Sequence, residues 1–558
     1  MSFFGGFMDT FFPGAALNHE IKKQRLARMR SLYSGYSNND NFEATAGGRT
    51  QHDFLNPHTD ADSAIAGNND KLRRHVRQLE YNNGDIAGPI QRFANYIIGS
   101  GLRFQARVTA DKKYTHMINV PRISETTAEG YNFWLEKRIK IWNKQADVHL
   151  MMTGHEMQRL IQMTLIRDGE AIIIGRKSRR PARLIPYCQE IVEIDRLQTP
   201  PGLIADPRVR NGIRYDEEGV PETYYILKHH PGNTIQPHFK FDDFEEVPAW
   251  NKNGTKKVLH LFEILRPEQT RGFTWLAAGL KDIQNTVRYK DAELVAALED
   301  ACMTGIVKST APQTFQNNYT KTGARPNGAE KRINRFAPNK WHYLNPYEDV
   351  EIRGPSRPND HFDEIINAFS RGPANALNIP PEVWTQNWRD LNYSNARTIL
   401  ISFYQVCRIK QKYFVDHYSF PTHENVVPYM VAGGHVLAPA FDRRREDYLA
   451  AEYIPPARDW VDPKKEAEGK TIDIANLTET GHSVCASLGK DYDENLEIRA
   501  KELKRIKEYE EEYGISFSRD GIDSALKKND SAEEEEEEEK EEEKATSGKK
   551  AKVIKLKK

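Results

Sequence analysis

The chain has 558 residues, of which 38% are hydrophobic and 29% charged, and its 80 basic residues are matched by 80 acidic ones. That length holds several cores, the modest apolar share predicts extensive wet surface, and the balanced charge excludes a whole-chain field that would draw the protein onto nucleic acid or an anionic membrane. Cys188, Cys302, Cys407 and Cys485 stand far apart without metal-ligand spacing, which reads as reduced thiols rather than a disulfide framework or a zinc site.

No apolar run approaches the ~18 residues of a membrane span. The N-terminal stretch MSFFGGFMDTFFPGAAL is apolar, but Asp9, Pro13 and the lack of a basic leader make it a poor signal peptide; it reads as a docking arm, with an unstructured tail as the alternative. Over 19–33, Lys22, Lys23, Arg25, Arg28 and Arg30 lie between Ile21, Leu26, Met29 and Leu32, a basic helix, and 34–69 reads as a polar surface loop. Asn69-Asp70 is expected to cap a helix with Leu72, Val76 and Leu79 on one face. A second helix is expected over 86–98, with Pro89 in its first turn. Gly99-Ser100-Gly101 then closes that helix. A phosphate cradle would open a helix instead, so the glycines read as a turn that sends LRFQARV into a strand.

Helices follow at GYNFWLEKRIKIWNKQ and over 154–167, and Asp168-Gly169 leads straight into the buried strand EAIIIGRK. Short strands and turns come next, with a hairpin at Glu218-Gly219, so the middle of the chain is α+β rather than a run of regular βαβ units. From Thr274 a proline-free stretch of about thirty residues predicts a helix ~45 Å long. Leu276, Leu280, Ile283 and Val287 form its stripe, and Lys281, Asp282, Arg288, Lys290, Asp291 and Glu293 occupy other faces. Residues 309–340 are polar and basic. A helix PNDHFDEIINAFSR ends at Gly372-Pro373, and another follows Trp384 and Trp388. Near the C-terminus an amphipathic helix is built on Leu496, Leu503, Ile506 and Tyr513. Beyond Ser518 come a glutamate run over 533–543 and a lysine-rich tip, blocks that repel themselves and stay disordered.

Catalytic patterns are missing. Gly469-Lys470-Thr471 lacks its partner glycine, Lys464 standing in that place, and no apolar strand leads into it. His155-Glu156 lacks the second histidine of a zinc protease, and His229, His230 and His238 read as surface residues. No G-x-S-x-G elbow and no carboxylate constellation is present. Tryptophan-rich joints and the basic cluster GRKSRRPAR over 175–183 suit a protein that works through its assembled shape.

Several segments, in order, resemble one family, the lambda-type bacteriophage portal proteins. RRHVRQLEYNNGDIAGPIQRFANYIIGSGLRFQ is similar to that family's arginine-rich helix, paired asparagines and Gly-x-Gly turn. IRDGEAIII and EIVEIDRLQTP resemble its helix-strand joint and its Glu-x-Asp strand. HLFEILRPEQTRGFTWLAAGL resembles its most distinctive block, with Arg266, Pro267, Gln269, Arg271 and Gly272 in order, and WVDPKKEAEGKTIDIANLTETGHSVCASLGKDYDE its C-terminal block, with Asp462 and Pro463. Leu488-Gly489 departs from the family's arginine-glycine pair, and the charged tail lies outside the shared pattern.

The resemblance implies an α+β portal fold with no catalytic residue, cofactor or metal. It also implies a ring, usually of twelve copies, at one vertex of the virion capsid, assembled in the host cytoplasm. It divides the chain into an N-terminal arm and loop (1–70), an α+β wing (71–272), a stem helix (273–304), a clip (305–356), a second stem helix with the tunnel-loop region (357–384), a wing return (385–460), a crown-type helical region (461–517) and the tail (518–558). The implied partners are further copies of the chain, the terminase large subunit, major capsid and scaffold proteins, a head-tail adaptor and double-stranded DNA without sequence specificity, with no membrane. Lys281, Arg288, Lys290 and Arg371 are candidates for the channel wall, and Lys321, Arg325, Lys331, Arg332 and Arg335 for the clip and terminase contact. Gly99, Gly101, Arg266, Pro267, Gln269, Arg271, Gly272, Asp462 and Pro463 are expected to be structural. The alternatives are a scaffold or adaptor, or a packaging-enzyme subunit. A scaffold would lack the strand-rich middle, an adaptor would be shorter, and an enzyme would need a phosphate loop or carboxylate cluster.

Overall fold

The computed structural model describes residues 59–111, 120–181, 183–233, 243–301, 305–309, 348–352, 361–389, 391–456, 463–490 and 492–514; for 299–301, 305–309, 348–352, 463, 465 and 466 it describes the backbone alone. Two units are distinguished, 1–64 and 65–558, and of the first only 59–64 are described. The N-terminal arm, the clip candidates Lys321, Arg325, Lys331, Arg332 and Arg335, His238, Asp462 and the charged tail lie outside the described residues.

Helices α1 (Asn69–Asn82) and α2 (Gly84–Ile97) are joined by Asn83, whose side chain accepts the Asp85 amide at 2.8 Å and caps α2. That cap starts α2 two residues before the expected position, so Pro89 lies in the helix interior, buried with Ile86, Ile90, Phe93 and Ile97. Asn69 does not cap α1. It is the first helical residue, and its Nδ2 donates to the Gly272 carbonyl at 2.7 Å, a long-range tie in place of a local one. After α2, Gly99 (φ 56°) and Gly101 (φ 114°) turn the chain into β1 (Arg103–Ala106). A Cβ on Gly101 would run into the His155 ring, so close approach as well as positive φ requires glycine there.

Next come α3 (Glu125–Asn143) and α4 (Gly154–Asp168), the latter opened by a capping box of Thr153 and Glu156 and closed by Gly169 at φ 84°. The chain passes at once into β2 (Glu170–Lys177), the central strand of a three-stranded antiparallel sheet with β3 (Tyr187–Val192) and β8 (Val258–Phe262). A second antiparallel sheet takes β4 (Val209–Arg210), β5 (Ile213–Tyr215), β6 (Pro221–Leu227) and β7 (Phe244–Pro248) in order, with the expected hairpin turning at Gly219. Successive side chains of a strand point to opposite faces, so β2 feeds two cores. Ala171 and Ile173 join the core with α2 and α4, and Ile172 and Ile174 join one shared by both sheets with Ile226, Val247 and Val258. This two-sided burial explains the unbroken apolar run of the strand.

The long helix expected from Thr274 begins later. Thr274 Oγ1 and the Trp275 amide both donate to the Ile166 carbonyl, at 3.2 and 3.3 Å, which ties this stretch to α4. Ala277–Gly279 then forms a single 3-10 turn, and α5 (Leu280–Ala301) covers 22 residues, about 33 Å. β9 (Gly305–Ser309) and β10 (Glu348–Ile352) pair antiparallel. α6 (Phe362–Ala376) packs on α5, with Tyr289 stacked on Phe362 at 5.8 Å between ring centres. α7 (Tyr393–Phe414) continues through a π turn, Val415–Ser419, into α8 (Phe420–Ala432). Val426, Val427 and Met430 of α8 meet Tyr131, Leu135 and Trp142 of α3 in a third core, roofed by β11 (Ala451–Ile454) paired with β1. α9 (Pro463–Ala475), α10 (Gly481–Ser487) and α11 (Tyr492–Tyr513) follow, and neither α10 nor α11 buries a residue.

Candidate functional site

Residues seven apart on a helix share a face. Lys281 and Arg288 of α5 are such a pair, and both are exposed. Lys290 lies nearly opposite them, on the side of the buried Ile283, and its Nζ pairs with Asp85 at the start of α2. The three cations grouped from sequence are therefore divided: two face outward and one ties α5 to α2. Arg371 on α6 is exposed, as is Asp291, whereas Glu293 is half-buried.

Asp282 is turned toward α6, and a Cβ on Gly372 would collide with its carboxylate. One turn earlier, a Cβ on Gly279 would stand 2.5 Å from Pro373 Cα. The turn that leads into α5 thus meets α6 at backbone contact, Asp282 of α5 packs on Gly372, and the crossing depends on both glycines. Farther along α5, Leu294, Val295 and Leu298 are 60%, 54% and 58% exposed. An apolar stretch of this kind on a helix end is suited to contact with another chain.

The distinctive Arg-Pro-x-Gln-x-Arg-Gly block gathers at the α4–β2 joint. Arg271 donates from Nε to both Glu170 oxygens, at 3.0 and 2.8 Å, and from Nη2 at 2.8 Å. Its Nη1 reaches the Leu197 and Asn211 carbonyls at 3.3 and 2.9 Å, joining the two sheets. Glu170, fully buried, also accepts from Arg73 Nη1 at 3.1 Å, His260 Nε2 at 3.0 Å and the Gly272 amide at 3.2 Å. Burial alone would raise the Glu170 pKa, but Arg271 and His260 overcome it and hold it at about 2. His260 is held below its usual value by burial, so it is neutral and donates to Glu170.

A second tier surrounds this pair. Arg73 also reaches Asp195 at 3.2 Å, and Arg77 joins Asp168 at 2.8 Å to Asp195. Burial works against the charged form of Asp195, and Arg77 and Arg73 outweigh it to lower its pKa. Glu193, Asp195 and His230 bring potential ligand atoms within 4.8 Å of one another. Arg77 already lies on both carboxylates, 3.2 Å from Glu193, so this group is an ion network with its charge satisfied and not a cation centre. Gln269 closes the block by donating to the Glu263 and Arg271 carbonyls and accepting the Leu265 amide at 3.0 Å. Gly272 fits because a Cβ would stand 2.7 Å from Phe262 Cβ.

Arg271, Gln269 and Gly272 are thus brought together, whereas Arg266 and Pro267 are exposed beside them and Pro463 opens α9 far along the chain. Gly99 and Gly101 form the turn before β1. The sequence reading held Arg73, Arg77, Asp168, Glu170 and Asp195 only inside family-like segments, the arginine-rich helix, the helix-strand joint and the Glu-x-Asp strand, and assigned none of them to a site. Their pattern was available: arginines four apart on one helix face, and carboxylates on either side of Gly169 and two apart before Arg196. What the network does chemically is cancel charge pairwise in a dry interior, fixing the angle between α1, α4 and both sheets.

A family model described as phage portal protein, lambda family, matches residues 47–411. The chain is 24% identical over 524 residues to a probable portal protein of Halomonas phage phiHAP-1, covering 91% of this chain and 90% of that one. It is 19% identical over 474 residues to the portal protein of Escherichia phage N15, covering 80% and 86%. Among solved structures, the neck of a native gene transfer agent particle computed with C12 symmetry aligns at 13% identity and TM-score 0.41, covering 76% of this chain and 93% of that one. A native gene transfer agent virion aligns at 12% identity and TM-score 0.38, with the same coverage. With the family match spanning the α1–α2 pair, both sheets, the Glu170–Arg271 joint and the α5–α6 crossing, the chain belongs to the lambda family of phage portal proteins.

Proposed function

We propose that twelve copies of this chain close into a ring in which Lys281 and Arg288 of α5, with Arg371 of α6, line the channel and touch the phosphates of passing DNA. The family is a structural one, and its members form the channel at one capsid vertex through which the genome is packaged and later ejected. The observation that carries the residue assignment is the division of charge on α5: Lys281 and Arg288 are exposed on one face, while Lys290 is spent on Asp85. A duplex presents one negative charge per ~1.7 Å, and a wall dense in cations would stop it. Two exposed cations seven residues apart, on a helix that also carries Asp282, Asp291 and Glu293, give brief phosphate contacts that read no base.

In the same reading the segment between β9 and β10 meets the terminase large subunit during packaging and a head-tail adaptor afterwards. The wing faces the major capsid and scaffold proteins, and the ring assembles in the host cytoplasm. Packaging and ejection assays on particles carrying Lys281→Glu with Arg288→Glu test the channel assignment. The expected result is a several-fold change in DNA translocation with rings still formed. Unchanged packaging and ejection would remove these residues from the channel wall. Lys290→Glu serves as the contrast, acting on stability through Asp85 and not on translocation.

A further inference from the structure

Helix α3 carries a stripe of positive charge that its own subunit leaves open. Phe133, Lys137, Lys140 and Lys144 follow one another at three- and four-residue spacing, which puts them within about 60° of one another on one face. All four are exposed. The Lys137 ammonium stands 3.8 Å from the centre of the Phe133 ring and 5.4 Å from that of Trp134, so two rings that are 51% and 46% exposed hold the charge in place. Glu136, next to Lys137 in sequence, is turned to β1, where it accepts the Ala106 amide at 3.0 Å.

The stripe continues onto the connection between β2 and β3. Arg183 donates to the Gln145, Asp147 and Val148 carbonyls, and the Leu184 amide donates to Gln145 Oε1 at 3.0 Å, which seats this connection against the end of α3. Lys177, Arg179 and Arg180 are exposed there, part of the basic cluster that the channel reading does not use. Arg176, beside them, is paired with Glu190 and Glu245. Among the described residues the six cations of the stripe have no such partner.

The place where the chain ends points to what covers them. The same β1 pairs through Arg103 with Glu494 at the foot of α11. The Glu497 pKa is lowered first by its bond to Lys501 and further by the Lys137 charge, so the stripe starts beside that foot. From Glu497 the helix rises about 25 Å to Gly514. Residues 515–532 extend at most about 60 Å, ample for a return, and lead to the segment 533–543, ten glutamates and one lysine. That segment spans up to about 35 Å, against about 17 Å from Phe133 to Lys144 with the β2–β3 connection beyond. A glutamate run repels itself unless cations face it. Single exposed ion pairs contribute little, but ten carboxylates on one tether meet six cations at the high effective concentration of a contact within one molecule.

We infer that residues 533–543 lie on the α3 stripe of the same copy and close it to nucleic acid, an internal cover that keeps duplex from lodging on α3. The inference uses contacts within one copy and is independent of the channel assignment.

The unaltered full-length protein, treated with a water-soluble carbodiimide that joins carboxylates to amines in contact, tests the placement. Peptides linking 533–543 to Lys137, Lys140 or Lys144 are expected from the monomer band of a denaturing gel, with a yield that falls at least fivefold in about 0.5 M salt. Equal linkage to lysines elsewhere on the body, or links confined to covalent multimers, would overturn the inference. Glutamine at each position of Glu533–Glu539 is expected to raise the affinity for a short DNA duplex at least tenfold in anisotropy titrations, and Lys137→Gln, Lys140→Gln and Lys144→Gln together to cancel that gain. The three lysines are exposed, so their replacement leaves the fold intact. An affinity unaltered by the glutamine changes, or a gain that survives the lysine changes, would equally overturn the cover.

Discussion

Replacing Glu170 by glutamine tests the account of the α4–β2 joint most directly, because the change is nearly isosteric and removes only charge and acceptor strength. Glu170 is 0% exposed and accepts from Arg271, Arg73, His260 and the Gly272 amide. In the Glu170→Gln variant two guanidiniums keep their charge in the interior, and an amide N–H faces a donor. Removing one partner of a buried, hydrogen-bonded ion pair costs about 3–5 kcal/mol. A second route gives a similar figure. The carboxyl pKa falls from 4.5 to about 2 on folding, and at ~1.4 kcal/mol per unit this is about 3 kcal/mol of stability. Because the folded value is the lower one, that stability is present above pH 4.5 and is lost as pH falls toward 2.

A chain of this size does not unfold in one step, so the readout is local: native-state hydrogen exchange at the β2 amides paired with β8. A loss of 3 kcal/mol corresponds to protection lower by about 150-fold. Arg271→Met alone should cost a similar amount, and the double variant clearly less than the sum, since each single change strands a charge that the double change removes. Asp416→Asn, which breaks the exposed Lys412–Asp416 pair, is the control and should shift protection by less than threefold. Protection in Glu170→Gln within a few-fold of the parent, or strict additivity with Arg271→Met, would refute the network as a source of stability.

Two glycines with the same backbone sign separate strain from close approach. Gly219→Ala, at φ 82° with nothing within 4 Å, should lower stability by about 1–2 kcal/mol, whereas Gly169→Ala, at φ 84° and pressed on the Phe273 backbone, should prevent the wing from folding, as read by limited proteolysis. At the helix crossing, Gly372→Ala should weaken ring assembly and be rescued by Asp282→Ala, while Gly279→Ala should have no such rescue because its neighbour is the Pro373 backbone; sedimentation velocity distinguishes the two. His423 is 1% exposed and burial pushes its pKa to about 3, so it is neutral in the folded chain and takes up a proton on unfolding below pH 6.5. Stability should therefore fall by up to about 1.4 kcal/mol per pH unit between pH 6.5 and 4.5 from this group, and His423→Phe should flatten that slope in urea titrations; an unaltered slope would remove His423 as its cause.

What was legible in the sequence depended on the range of the forces involved. The α2 stop at Gly99, the strand after Gly169 and the turn at Gly219 follow from backbone chemistry within a few residues, and each stands where expected. The start of α5 could not be read that way, because it is set by hydrogen bonds from Thr274 and Trp275 to Ile166, more than a hundred positions away. The same distance hid the ion network: the segments that hold Arg73, Glu170 and Arg271 could be recognised one by one, but that the three side chains meet in one buried clamp follows only when the segments are brought together. On α5 the structure divides what the sequence reading had grouped. Lys281, Arg288 and Lys290 are chemically similar and close in sequence, yet the helix period sends Lys290 toward the body of the protein, where Asp85 takes its charge. Composition counts cations, but a channel wall is made only of those with no better partner inside the subunit. The prospect of function for Lys281 and Arg288 therefore comes from the pairing of Lys290, a fact of tertiary structure that no local pattern contains.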